Sequence, residues 1–90
     1  MGRFEVLIKR SAVKEIEAIS RKKDRQRVVD KIRRLADDPR PPGCHKLSGH
    51  DRYRIRQSSY RILYSIEDER LIVYVVKVGH RRHVSRRVPS

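Results

Sequence analysis

From Leu71 to Val78 the chain is apolar at every position except Lys77. A half-exposed strand alternates between apolar and polar side chains, so a run that is apolar on both sides of the pleat suits a central strand covered on each face. The neighbours of that strand must all come from a chain of 90 residues. A chain of this length forms one domain and buries only about 60–65% of the surface its unfolded form exposes. The core is therefore small, and there is no room for a second lobe.

The other segments supply the partners of this strand. Phe4, Val6 and Ile8 alternate with Glu5 and Leu7, the period of a strand with one buried face. From Ser11 the period lengthens: Ala12, Val13, Ile16 and Ile19 fall on one helical face, with Ser11 placed to cap the first turn. Val28, Val29, Ile32 and Leu35 repeat the pattern, and the short charged linker Arg21–Asp24 makes the two helices antiparallel neighbours. Asp37–Gly43 contains three prolines and ends the helical region. Beyond it, Tyr53 and Ile55 alternate with Arg52, Arg54 and Arg56, which sends apolar side chains to one face and arginines to the other. After a polar break at Gln57–Ser58, Tyr60, Ile62, Tyr64 and Ile66 share a face, with Arg61, Leu63 and Ser65 opposite; Glu67–Arg70 makes the next turn. Gly79–Ser90 is a basic tail with weak patterning.

The predicted order is β-α-α-β-β-β in a single domain over residues 1–90, an α+β fold with a helical hairpin on one face of a mainly antiparallel sheet. The other face, carrying Arg54, Arg56 and Arg61, is left for a ligand or partner.

Lys and Arg number 24 against 11 acids, a formal charge of +13, and a field of that sign selects polyanions. The 37% of apolar residues fall in periodic runs, which argues against disorder and for a folded chain. Cys44 is the only cysteine and cannot form an internal disulfide, and Met1–Arg10 lacks the long apolar stretch of a signal peptide. Both features point to a cytoplasmic protein. The longest unbroken apolar run, Leu71–Val76, is far below the roughly 20 residues that span a bilayer, so no membrane partner is expected.

The arginines are the candidate site. Arg54 and Arg56 lie side by side on one strand face, and an antiparallel neighbour starting at Tyr60 brings Arg61 beside them. Arg81 and Arg82, just after the apolar strand, can add two more cations to the same edge. Most exposed arginines are merely solvated. Like charges collected on adjacent strands repel, however, and are better explained by an anionic ligand that each guanidinium can fork.

Metal-free RNA cleavage also needs a base for the 2′-OH and an acid for the leaving 5′-oxygen; His80 and His83 flank Arg81 and Arg82 and have the side-chain chemistry for either role. Surface histidines without a role are the commoner case. No acid follows Glu69, which disfavours metal-dependent nuclease chemistry, and Cys44, His45 and His50 lack the paired spacing of a zinc site. No metal or cofactor is expected. Gly43, Gly49 and Gly79 are read as turn glycines, with no phosphate-loop motif around them.

The ordered set Lys46-Leu47-Ser48-Gly49, Tyr53-Arg54-Ile55-Arg56, Tyr60-Arg61-Ile62-Leu63-Tyr64 and Val78-Gly79-His80-Arg81 resembles the RelE/ParE superfamily of toxins from toxin–antitoxin modules. The resemblance covers nearly the whole chain. It implies a RelE-like fold and a cognate antitoxin that wraps the toxin in a hetero-oligomer. For the RelE branch it implies a ribosome-dependent mRNA interferase that cuts message in the A site by 2′-OH attack. On that pattern Arg61 and Arg81 match the phosphate-stabilising arginines and Arg54 and Arg56 the paired basic residues that contact the substrate; either His83 or His80 is the replacement base, and Arg82 and Lys46 are further candidates for RNA contact. The family commonly closes its Gly-His-Arg segment with Val-Tyr, whose tyrosine acts in base catalysis; this chain has Val84-Ser85. That departure keeps open a ParE-like inhibitor of DNA gyrase without ribonuclease activity, and a non-catalytic ribosome- or RNA-binding module.

Overall fold

The computed structural model describes residues 3–47 and 51–80. Expectations for Arg81, Arg82, His83, Val84 and Ser85, and for Ser48–His50, fall outside the described residues. The elements are β1 (Glu5–Ile8), α1 (Arg10–Glu17), α2 (Lys22–Arg34), β2 (His45–Lys46), β3 (Arg52–Gln57), β4 (Tyr60–Glu67) and β5 (Ile72–His80). The sheet runs β1-β5-β4-β3-β2. β1 is parallel to β5, and every other pairing is antiparallel. The α+β order read from the sequence holds, with one addition: the two-residue strand β2, too short to leave a periodicity, edges the sheet beside β3.

Both helices lie on one face. Ala12, Ile16 and Ile19 from the first helical segment and Val28, Ile32 and Leu35 from the second pack with Ile55, Ile62, Tyr64, Val73, Val75 and Val78 in a single core. Each large aliphatic side chain fully buried in this way contributes about 1.5–3 kcal/mol.

Ser11 does not cap α1. The helix starts one residue earlier, at Arg10, with Lys9 at the N-cap and no side-chain cap bond. The Lys9 amide instead donates to the carbonyl of Val75 at 2.8 Å, so the sheet fixes the start of the helix. Val13, assigned to the buried face, is 37% exposed, because Ala12 and Ile16 already fill the contact with the sheet. The linker is also displaced, since Lys22 to Asp24 belong to the first turn of α2.

The largest departure concerns β5. It is an inner strand, but only one of its faces is covered: Val73, Val75 and Val78 are buried, whereas Tyr74 is 38% exposed. A register shift explains the apolar run. Tyr64 pairs with Val75, yet Leu63 pairs with Lys77, so Val76 is an extra residue in a β-bulge. Strict alternation from Val73 and Val75 would put Lys77 in the core. The bulge puts Val78 there instead and keeps Lys77 out of the core; Lys77 Nζ lies 3.0 Å from Glu15 Oε2 of α1.

Candidate phosphate-binding face

Residues directly opposite on paired strands share a face, so the register fixes which side chains meet. On the face away from the helices, Arg56, Arg61 and Gly79 form one row across β3, β4 and β5. The adjacent row is His45, Arg54, Leu63 and Lys77, and the next is Arg52, Ser65, Tyr74 and Leu7. Arg56 is exposed, and Arg54 and Arg61 are half-buried. The structure therefore brings Arg54, Arg56 and Arg61 together, with Arg56 and Arg61 as direct cross-strand neighbours. Like charges so placed oppose folding by a few tenths to about 1 kcal/mol.

The ion pairs among the described residues engage Arg3, Arg40, Arg70 and Lys77, and none engages Arg54 or Arg56. Arg54 Nε is shielded from solvent and has no hydrogen-bond partner among the described residues. A polar group left in that state costs about 1–3 kcal/mol, a cost that turning the guanidinium toward an anionic acceptor on this face would remove.

Two of the sequence candidates fall elsewhere. Lys46 pairs with Tyr53 and shares its face, on the helix side of the sheet. His80 pairs with Tyr60, their rings meeting edge to face with centroids 5.4 Å apart, and Tyr60 packs against the core. His80 thus lies on the side opposite Arg56 and Arg61. Conversely, His45 stands across from Arg54 on the arginine face. Sequence reading missed it because β2 has no periodic signature; only pairing with β3 reveals its side.

Arg40 shows what an occupied arginine looks like in this fold. Its Nη1 and Nη2 fork onto Asp68 at 3.0 and 2.9 Å, and its Nε donates to Tyr53 Oη at 3.2 Å. The guanidinium holds the Asp68 carboxyl below the usual carboxylate range, and the carboxylate together with Tyr53 holds Arg40 firmly in its charged form. Tyr53 stacks on Tyr64 with centroids 5.8 Å apart, and the buried Tyr64 hydroxyl donates to the carbonyl of Pro39 at 2.7 Å. Burial, and next the neighbouring Cys44, push the Tyr64 phenol up. This cluster ties the proline loop and the β4–β5 turn to the helix side of the sheet. It is a structural unit, and Arg40 is committed to it. Among the described residues no group of three or more His, Cys, Asp or Glu side chains could hold a metal ion, and no helix is long and apolar enough to cross a membrane.

A helical pair on one face of a sheet whose open face gathers arginines is the architecture of a small toxin of a toxin–antitoxin module. It matches the archaeal RelE in the RelE–RelB complex from Pyrococcus horikoshii OT3 with a TM-score of 0.79 and 26% identity, over 90% of this chain and 97% of that one. The chain belongs to the ParE toxin family of type II toxin–antitoxin systems, whose family model matches residues 6–84, and so to the RelE/ParE superfamily. A RelE-like toxin protein of Escherichia coli is 33% identical over 81 residues, 88% of this chain and 84% of that protein. The mRNA interferase toxin RelE of Escherichia coli K12 is 38% identical over a shorter stretch of 40 residues, 44% of this chain and 36% of that protein.

Proposed function

We propose that this toxin is an endoribonuclease that cuts mRNA on the ribosome, using its open sheet face to hold the scissile phosphate. The observation that carries the reading is the Arg56–Arg61 row: two guanidiniums on adjacent strands, facing away from the core, with Gly79 in line beside them. Gly79 places no side chain in that row, so a phosphodiester can approach Arg61 closely. The two cations would stabilise the extra charge of the pentavalent phosphorane. In the reaction a base takes the proton of the 2′-OH and O2′ bonds to phosphorus. The P–O5′ bond then breaks, an acid protonates the departing oxygen, and a 2′,3′-cyclic phosphate remains. Arg81 and His83, which follow β5 in the chain, are the proposed further cation and base; Arg82 is proposed to add a phosphate contact. The E. coli relative named an mRNA interferase supports the reaction class.

Primer extension on mRNA in a reconstituted translation system tests this reading. New 5′ ends at A-site positions that require ribosomes and disappear with Arg61→Ala are expected. Intact mRNA with the unmodified protein present would overturn it.

A second reading, inhibition of DNA gyrase without RNA cleavage, is favoured by two observations. The matching family is that of the ParE toxins, and His80, one of the two histidines read as a base, lies across the sheet from Arg61. Blocked DNA supercoiling by the purified protein, with translating mRNA left whole, would establish it. On either reading the partner is a cognate antitoxin, as in the RelE–RelB complex of the archaeal relative. An acidic segment that folds over the arginines suits this surface.

A further inference from the structure

We propose that His45 and Arg54 form a second phosphate subsite, which takes the phosphodiester next to the one held by Arg56 and Arg61. This inference rests on the reading of the open face as an RNA-binding surface and assigns a role to His45.

His45 is the residue directly across from Arg54, and the two begin the row adjacent to Arg56 and Arg61. Same-face residues along a strand are about 6.6–6.8 Å apart, close to the spacing of successive phosphates along an extended RNA strand. One strand of RNA crossing β3 can therefore set one phosphate on each row. Arg54 Nε is shielded from water and bonded to nothing among the described residues, so turning the guanidinium outward to a phosphate oxygen, a strong acceptor, would give it the bond it lacks. His45 is exposed at the edge of the same row, and even a neutral imidazole keeps one N–H to donate. Farther along the row stand Leu63, which carries no charge, and Lys77, whose ammonium is already engaged by Glu15. The anion is thus directed towards the β2–β3 end.

The test is binding of a 2′-O-methyl RNA single strand, which cannot be cut by 2′-OH attack. A series of such strands carries one charge-neutral methylphosphonate each. For the unmodified protein, neutralising either of two adjacent phosphates is expected to weaken binding roughly tenfold. In Arg54→Ala and in His45→Ala, one of these two positions becomes insensitive while the other keeps its effect. The dependence of log affinity on log salt falls by about 0.7 for Arg54→Ala. His45→Gln, which retains a donor, recovers part of the affinity lost in His45→Ala, and circular dichroism confirms that the variants are folded. A single sensitive phosphate in the unmodified protein, or two that stay sensitive in both alanine variants, would overturn the subsite. Loss of sensitivity at every phosphate would instead remove the RNA reading of the whole face. Unchanged RNA binding with weakened binding of an acidic peptide would assign the pair to a protein ligand and overturn the proposal.

Discussion

Tyr64→Phe removes one oxygen from a side chain that is 0% exposed. In the folded protein that hydroxyl donates to the carbonyl of Pro39, itself buried, at 2.7 Å. The variant loses the bond and leaves the carbonyl without a donor in a place water does not reach, at a cost of about 1–3 kcal/mol. The lower end applies if the ring shifts enough to admit a bridging water. The phenyl ring of the variant can keep the stacking on Tyr53, so packing adds little. For a domain of this size each kcal/mol lowers Tm by about 4–8 °C, giving an expected fall of roughly 5–20 °C in a thermal melt followed by circular dichroism. Tyr74→Phe is the control: its ring is 38% exposed on the open face, and a surface change of that kind is worth within about 0.5 kcal/mol. Equal melting temperatures for the two variants would show that the Pro39 contact does not anchor the loop.

Arg56→Ala relieves a direct like-charge pairing with Arg61, so stability should rise by about 0.2–1 kcal/mol in urea titrations while the salt slope of RNA binding falls by about 0.7; lower stability with an unchanged slope would contradict a face strained for its ligand. The lowered Asp68 carboxyl gives a defined pH response. Its folded value lies below its unfolded one, so the stabilisation is present above the ordinary carboxylate range near pH 4 and is lost as pH falls through the lowered value. Asp68→Asn should therefore lower the urea midpoint at neutral pH and leave it unchanged in strong acid, and a deficit that persists in acid would implicate packing. Beyond the end of β1, the Val78 amide donates to Glu15 Oε1 at 2.8 Å. Glu15→Ala should speed hydrogen exchange at Val78 about tenfold, and unchanged exchange would mean the carboxylate does not protect that edge.

The segments with clear periods were legible in the sequence. Alternation in β3 and β4 sorted Tyr53, Ile55, Ile62 and Tyr64 from Arg54, Arg56 and Arg61, because a one-residue slip would have buried guanidiniums. The Val28, Ile32 and Leu35 spacing placed the face of α2 for the same reason. What escaped depended on contacts between distant segments. The start of α1 is set by a hydrogen bond to Val75 rather than by a cap. Lys46 and His45 differ by one position, and which of them joins the arginines is decided by pairing with β3. His80 was grouped with the arginines by proximity in sequence, yet pairing with Tyr60 turns it to the other side.

The bulge at Val76 divides β5 into two halves running in counterphase. Before it, odd-numbered residues look towards the helices; after it, even-numbered ones do. The first half is locked between β1 and β4 and answers to the core, whereas the second half is paired with β4 alone among the described residues and carries Gly79 to Arg61. A strand lacking Val76 would keep every later side chain on its present face, so that residue is dispensable for orientation. Ironing the bulge flat at full length would carry the Tyr64–Val75 register onward, setting Val78 against Arg61 and Gly79 against Tyr60, so that a core valine would face outward and the place beside Tyr60 would empty. A single surplus valine therefore lets the end of the strand be re-addressed without disturbing the half that folds the protein.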